Sequence, residues 1–186
     1  MKFLFPLACT FMVLTAACAS QQKNTGRHSQ PKSKREKSIG NLNKVHSFGN
    51  IYLAGQPDEA TLSQLKDQDF QAVINIREPS ENPEFAEQSL VEKQGMKYYN
   101  IPLKKRSDIT DSWVASIQSA IEENKGSKVL LHCEEGDRAG VWLGSYLVKE
   151  KRSSKESAEA MMESFDLVNP YWIKSLRKYT SKKENY

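Results

Sequence analysis

The chain is poor in the residues that build metal and cofactor sites. Only three of its 186 residues are cysteine and three are histidine. His28, His46 and His132 lie far apart in sequence, and no metal-ligand spacing joins them. No Gly-rich nucleotide-binding motif is present among the nine glycines. No cofactor and no metal are therefore expected. Internal repeats are absent too. The one long apolar run, Phe3 to Ala17, falls short of the roughly 20 residues a transmembrane helix needs.

That run has another reading. Lys2 gives a short positive region, the apolar stretch follows, and Thr15-Ala16-Ala17-Cys18 resembles a bacterial lipobox. Residues 1–17 are expected to be a signal peptide. Cys18 would then be the lipidated first residue of a periplasmic, membrane-anchored lipoprotein of a Gram-negative bacterium. The rival is a soluble exported protein cut after Ala17-Cys18-Ala19. Both leave Cys133 as the single thiol of the folded domain, so no internal disulfide can hold it.

The net charge of +4 also belongs to the tether. Lys2 supplies one positive charge. Residues 21–38 supply a net five, from Lys23, Arg27, Lys32, Lys34, Arg35 and Lys37 against Glu36. The chain from Ile39 onward is therefore net −2, which gives no argument for nucleic-acid binding. Residues 18–38 have almost nothing to bury and are expected to be a disordered basic linker, suited to an anionic membrane surface or simply to solvent. Residues 39–186 suffice for one domain with its own core.

The most informative stretch is Val129 to Gly140. An apolar strand-like run ends in His132-Cys133, and Glu134, Glu135, Gly136 and Asp137 lead to Arg138 and a helical pattern. This order places a thiol at a strand end, beside a helix N-terminus and a guanidinium. A free thiol titrates near 8.5, so a nucleophile at neutral pH needs such neighbours. Arg138 offers a planar fork that matches two oxygens of a phosphate-like group.

These residues resemble the phosphate loop of the cysteine-dependent phosphatase superfamily. Its signature is His-Cys, two residues, Gly, two residues, Arg, then Ser or Thr. Here four residues rather than five separate Cys133 from Arg138, and Ala139 replaces the hydroxyl. The shorter loop is similar to that of rhodanese-like sulfurtransferases and of the DUF442 phosphatase-like proteins. Three further blocks resemble DUF442: Gly55-Gln56-Pro57, Val73-Ile74-Asn75-Ile76-Arg77, and Tyr98 followed by Ile101-Pro102. The resemblance covers roughly residues 45 to 150. It implies His132 as a loop-shaping residue, Cys133 as nucleophile, and the 134–139 loop as the anion cradle. It also implies an acid on the loop after Ile101-Pro102, where Asp108 stands; Asp137 and Asp111 are rivals, although Asp111 suits a helix N-cap better.

Pattern alone places strands at 51–53, 72–76, 97–101 and 129–132. Helices are expected at 61–69, from near Pro83 to about Gln94, 110–125, 139–150, 154–165 and 170–179. The fold class is α/β: a mainly parallel central sheet of about four to five strands flanked by helices, which the resemblance implies is cysteine-phosphatase-like. Ligands of such sheets bind at the carboxyl ends of strands. Cys133, Arg77 and the 103–111 loop all fall there. Arg77 would contact substrate or pair with Glu78 or Glu81.

The expected function is hydrolysis of a phosphomonoester through a phosphocysteine on Cys133. One alternative is sulfur transfer through a Cys133 persulfide. Another is an envelope protein whose degenerate loop binds an anion or a partner, since Glu134, Glu135 and Asp137 crowd three carboxylates around the cradle. The expected partner is a phosphorylated substrate of unspecified type.

Overall fold

The computed structural model describes residues 32–81, 85–165 and 169–181. The expected signal peptide, Cys18, most of the basic linker and Pro83 lie outside the described residues. Six strands form one sheet in the order β1-β2-β3-β6-β4-β5: β1 Ser33–Arg35, β2 His46–Phe48, β3 Ile51–Ala54, β4 Phe70–Asn75, β5 Lys97–Asn100 and β6 Lys128–His132. The four strands from β3 to β5 pair in parallel. β1 and β2 add an antiparallel edge. Both were missed in sequence, because three-residue strands have too few positions to show a period. β1 also lies inside the stretch expected to be linker, so the ordered fold starts before Ile39. Glu36 anchors it, its backbone N–H donating to the Val45 carbonyl and its carboxylate accepting from Ser47 Oγ.

The helices are α1 Glu59–Leu65, α2 Glu87–Lys93, α3 Asp111–Glu122, α4 Asp137–Lys149, α5 Lys155–Glu163 and α6 Pro170–Thr180. Their starts follow local chemistry. Asp58 accepts from the Thr61 N–H, Thr110 from Trp113, Ser154 from Ser157, and Asn169 from Tyr171 and Trp172, with Pro170 in the first turn. Thr110, not Asp111, is thus the cap of α3. The helix expected from near Pro83 begins only at Glu87.

Strand parity divides the core in two. Successive side chains of a strand face opposite sides of the sheet. Leu53, Ile74, Val129 and Leu131 face one cluster with Trp113, Ile117 and Trp142. Ala54, Val73 and Leu130 face the other, with Leu62, Leu65 and Val91 from α1 and α2. Both faces are covered, which is why β3, β4 and β6 read as continuous apolar runs. Trp113 and Trp142 are core, whereas Tyr98 and Tyr99 are only half-buried.

Leu131 sits mid-sheet with no exposed surface. Leu131→Ala is expected to lower unfolding free energy by about 2–5 kcal/mol, read from the urea midpoint at unchanged slope.

Candidate active site

Cys133 follows β6 directly, at the carboxyl end of the parallel strands. Gly136 closes the short loop at φ 97°, a conformation glycine adopts without strain, and its N–H donates to Cys133 Sγ at 3.1 Å. α4 begins one residue later, so the sulfur lies at a helix N-terminus. Cys133 is the one free cysteine among the described residues and is almost wholly buried. It opens on a cavity of about 290 Å³ whose walls include Arg138, Glu81, Leu103, Lys104 and Trp172.

Arg138 is held as a fork. Its Nη1 and Nη2 donate to Glu81 at 2.8 and 2.5 Å. Nη1 also reaches the carbonyls of Leu103 and Ile76 at 3.4 and 3.5 Å. Burial works against the cation, but Glu81 and the Cys133 sulfur more than offset it and hold the guanidinium above its ordinary value. Arg138 in turn holds the Glu81 carboxyl below the usual range, with smaller help from Arg77. Glu81 ends a 3₁₀ turn, Pro79–Glu81, after β4.

All three carboxylates of the loop border the Cys133 cavity, with different partners. Glu134 and Glu135 are exposed, at the seam between the Cys133 cavity and a second one beside Asn41 and Lys44. Asp137 turns to Asn169 and accepts from its backbone N–H at 2.6 Å and its Nδ2 at 3.0 Å. Burial pushes the Asp137 carboxyl up, Asn169 partly offsets this, and Glu135 adds to it. Asp137 is therefore engaged in tying α4 to the start of α6. Asp108 ends an exposed 3₁₀ turn, accepting from the Lys105 N–H at 3.2 Å and from Ser107 Oγ at 2.9 Å. Its loop supplies Leu103 and Lys104 to the cavity wall, but Asp108 itself is not in the lining. Asp111 accepts instead from the Tyr179 hydroxyl on α6.

Arg77 and His132 are buried behind the loop and line no part of the Cys133 cavity. Ala139 is fully buried in the core. Arg77 pairs with Glu81 at 3.8 Å and donates from Nη1 to Gln56 Oε1 at 2.5 Å, while Glu78 pairs with Lys104. Gln56, which the sequence showed only as part of the Gly55-Gln56-Pro57 block, is a hub. Its backbone N–H donates to the Glu134 carbonyl at 2.9 Å, and its Nε2 donates to Glu87 Oε2 at 3.1 Å. Next to it, a Cβ on Gly55 would meet the Glu134 carbonyl oxygen at 2.9 Å, so the loop can lie against β3 only over a glycine.

Glu87, from the first turn of α2, also escaped the sequence reading. It is only 4% exposed, and Oε1 lies 2.6 Å from His132 Nε2. Oε2 accepts from Gln56 and from Asn75 Nδ2, each at 3.1 Å. Burial pushes this carboxyl up, but His132, Gln56 and Arg77 outweigh it and leave Glu87 below the ordinary glutamate range. Tyr98, beside Asn75, is pushed up to about 12 by burial and by Glu87, so it stays a neutral phenol.

A depressed folded-state value ties stability to pH. The contribution of Glu87 is complete above the ordinary value of 4.5 and is lost as pH falls through the lower folded value. Glu87→Gln is expected to flatten the acid limb of a plot of unfolding free energy against pH below that point.

The family model described as dual specificity phosphatase, catalytic domain, matches residues 51–182. No curated protein matches the chain significantly. Among solved structures, P. aeruginosa TpbA in complex with phosphotyrosine is similar at TM-score 0.64 and 13% identity, covering 86% of this chain and 93% of that one. A DUF442 phosphatase from Shewanella putrefaciens CN-32 is similar at TM-score 0.58 and 24% identity, covering 74% and 91%. The core catalytic domain of the PP-IP phosphatase SIW14 from S. cerevisiae is similar at TM-score 0.57 and 18% identity, covering 70% and 81%. At these identities the likeness speaks for the fold alone. The sulfurtransferase and degenerate-loop readings gain no support from these matches. With a cysteine at a strand end, an arginine fixed beside it and a family match over most of the folded chain, the protein belongs to the dual specificity phosphatase catalytic-domain family and is a cysteine-dependent phosphatase.

Proposed function

We propose that the chain is an exported phosphatase that hydrolyses a phosphomonoester through a phosphocysteine on Cys133. The observation that carries this reading is the paired Arg138. Glu81 takes both terminal nitrogens end-on, so the Nε side of the fork is what remains for an anion above Cys133. The Gly136 N–H already points at the sulfur. Arg138 thus serves the equatorial oxygens of a phosphoryl group, and the Gly136 N–H serves the thiolate.

In the first step the Cys133 thiolate attacks phosphorus, an S–P bond forms and the P–O bond to the leaving group breaks. The departing oxygen takes a proton from Asp108, on the loop that supplies Leu103 and Lys104 to the cavity wall. In the second step water attacks phosphorus, Asp108 carboxylate takes its proton, and the S–P bond breaks to return the thiolate. Ala139 offers no hydroxyl to assist that departure, so the Gly136 N–H and the start of α4 carry it.

The cavity wall of Leu103 and Trp172 accommodates an apolar or aromatic body next to the phosphate. Export rests on residues 1–17 and anchoring on Cys18. A Cys18→Ala chain is expected to lose lipid labelling and membrane retention in a Gram-negative host. Retention without any lipid on the unaltered chain would overturn the anchor.

Aryl-phosphate hydrolysis by the purified chain is expected to vanish in Cys133→Ser. Rapid acid quench should trap one phosphoryl group on the Cys133 peptide. Arg138→Lys, which loses the planar fork, should cost about 10²–10³-fold in kcat/KM. Asp108→Asn should cost about 10²-fold or more with a poor leaving group and far less with p-nitrophenyl phosphate. Sulfur transfer from thiosulfate to cyanide, with no phosphate release, would reverse the assignment.

A further inference from the structure

We propose that Glu87 is a positioning residue of the catalytic loop, holding His132 with a proton on both ring nitrogens so that His132 Nδ1–H stays on the Cys133 carbonyl. The inference deepens the phosphatase reading above and rests on it for its kinetic part only.

Strand parity brings the two together. His132 shares a face of the sheet with Leu130, opposite the face of Leu131 and Cys133. α2 packs on that same face through Val91. A carboxylate in the first turn of α2 therefore meets the histidine from behind the loop, while the cysteine on the other face meets substrate.

Hydrogen-bond logic then sets the protons. Glu87 Oε2 accepts from two amide N–H donors, Gln56 Nε2 and Asn75 Nδ2, as an ionised carboxylate does. Its Oε1, 2.6 Å from His132 Nε2, is an acceptor as well, so Nε2 carries a proton. His132 Nδ1 lies 3.4 Å from the Cys133 carbonyl oxygen, which can only accept, so Nδ1 carries one too. Arg77 faces the pair through Gln56, and Tyr98 faces it through Asn75 as a neutral phenol. His132 has no exposed surface and Glu87 almost none, so each needs the other's charge. A carbonyl drawn back by Nδ1–H leaves the following amides of the loop aimed at the anion, and the imidazolium places a positive charge one residue from Sγ.

The test uses the full-length chain and two variants, Glu87→Gln and His132→Asn. Nitrogen NMR of the histidine rings near neutral pH, assigned by loss of signal in H132N, is expected to show both His132 nitrogens protonated in the unaltered protein. In E87Q one should lose its proton. E87Q should lower kcat between about ten-fold and a hundred-fold, the scale of a misplaced catalytic group, with KM nearly unchanged. In the H132N background the same substitution should cost nothing further, because Glu87 acts only through His132. A bare ring nitrogen in the unaltered protein overturns the proposal, as does an E87Q cost of equal size in both backgrounds. If E87Q does not fold, the spectrum of the unaltered protein still decides. If no form releases phosphate, the phosphatase reading fails, while the nitrogen spectra judge the pair independently.

Discussion

The site depends on the ion pair between Arg138 and Glu81. A guanidinium at the first turn of a helix is free to sweep through solvent unless something takes its terminal nitrogens. Glu81 takes both, from a turn that follows a neighbouring strand, and two carbonyls take what is left of Nη1. The arginine is buried and the glutamate half-buried, so the geometry of the pair is worth more than that of a surface salt bridge. It joins the loop after β4 to the helix after β6, and it fixes the arginine in the wall of the Cys133 cavity.

A second constraint works on the backbone. The loop has one residue fewer than the usual phosphatase loop, yet its amides must still surround an oxyanion. Gly136 supplies the left-handed turn, Gly55 lets β3 approach, and Gln56 holds the Glu134 carbonyl outward. His132 draws back the Cys133 carbonyl from the other side. A carbonyl that turned inward would put a negative dipole where the phosphate belongs. The acidic side chains stay at the rim of the cavity, Glu134 and Glu135 exposed to solvent and Asp137 held by Asn169.

Much of this was legible in the sequence. The central strands, the α/β class and most helices follow from apolar period and capping residues. Cys133, Gly136 and Arg138 stand within six residues of one another, so their proximity is a local fact. Two things resisted. The edge strands β1 and β2 are too short to show alternation, and β1 is built from a segment whose charge argues for solvent. Glu81 stood out only as a possible partner of Arg77 and Glu87 not at all, since nothing local distinguishes a buried glutamate from an exposed one.

What the sequence by itself determined is the nucleophile, the short loop and the strand–loop–helix that presents them, because backbone propensity and spacing act over a few residues. What only the tertiary structure decided is which distant groups hold that loop. Glu81 reaches Arg138 across 57 residues, and Glu87 reaches His132 across 45. Those contacts arise from strand order and from the parity that turns His132 towards α2 and Cys133 away from it. Neither is visible until parallel pairing has set the strands side by side.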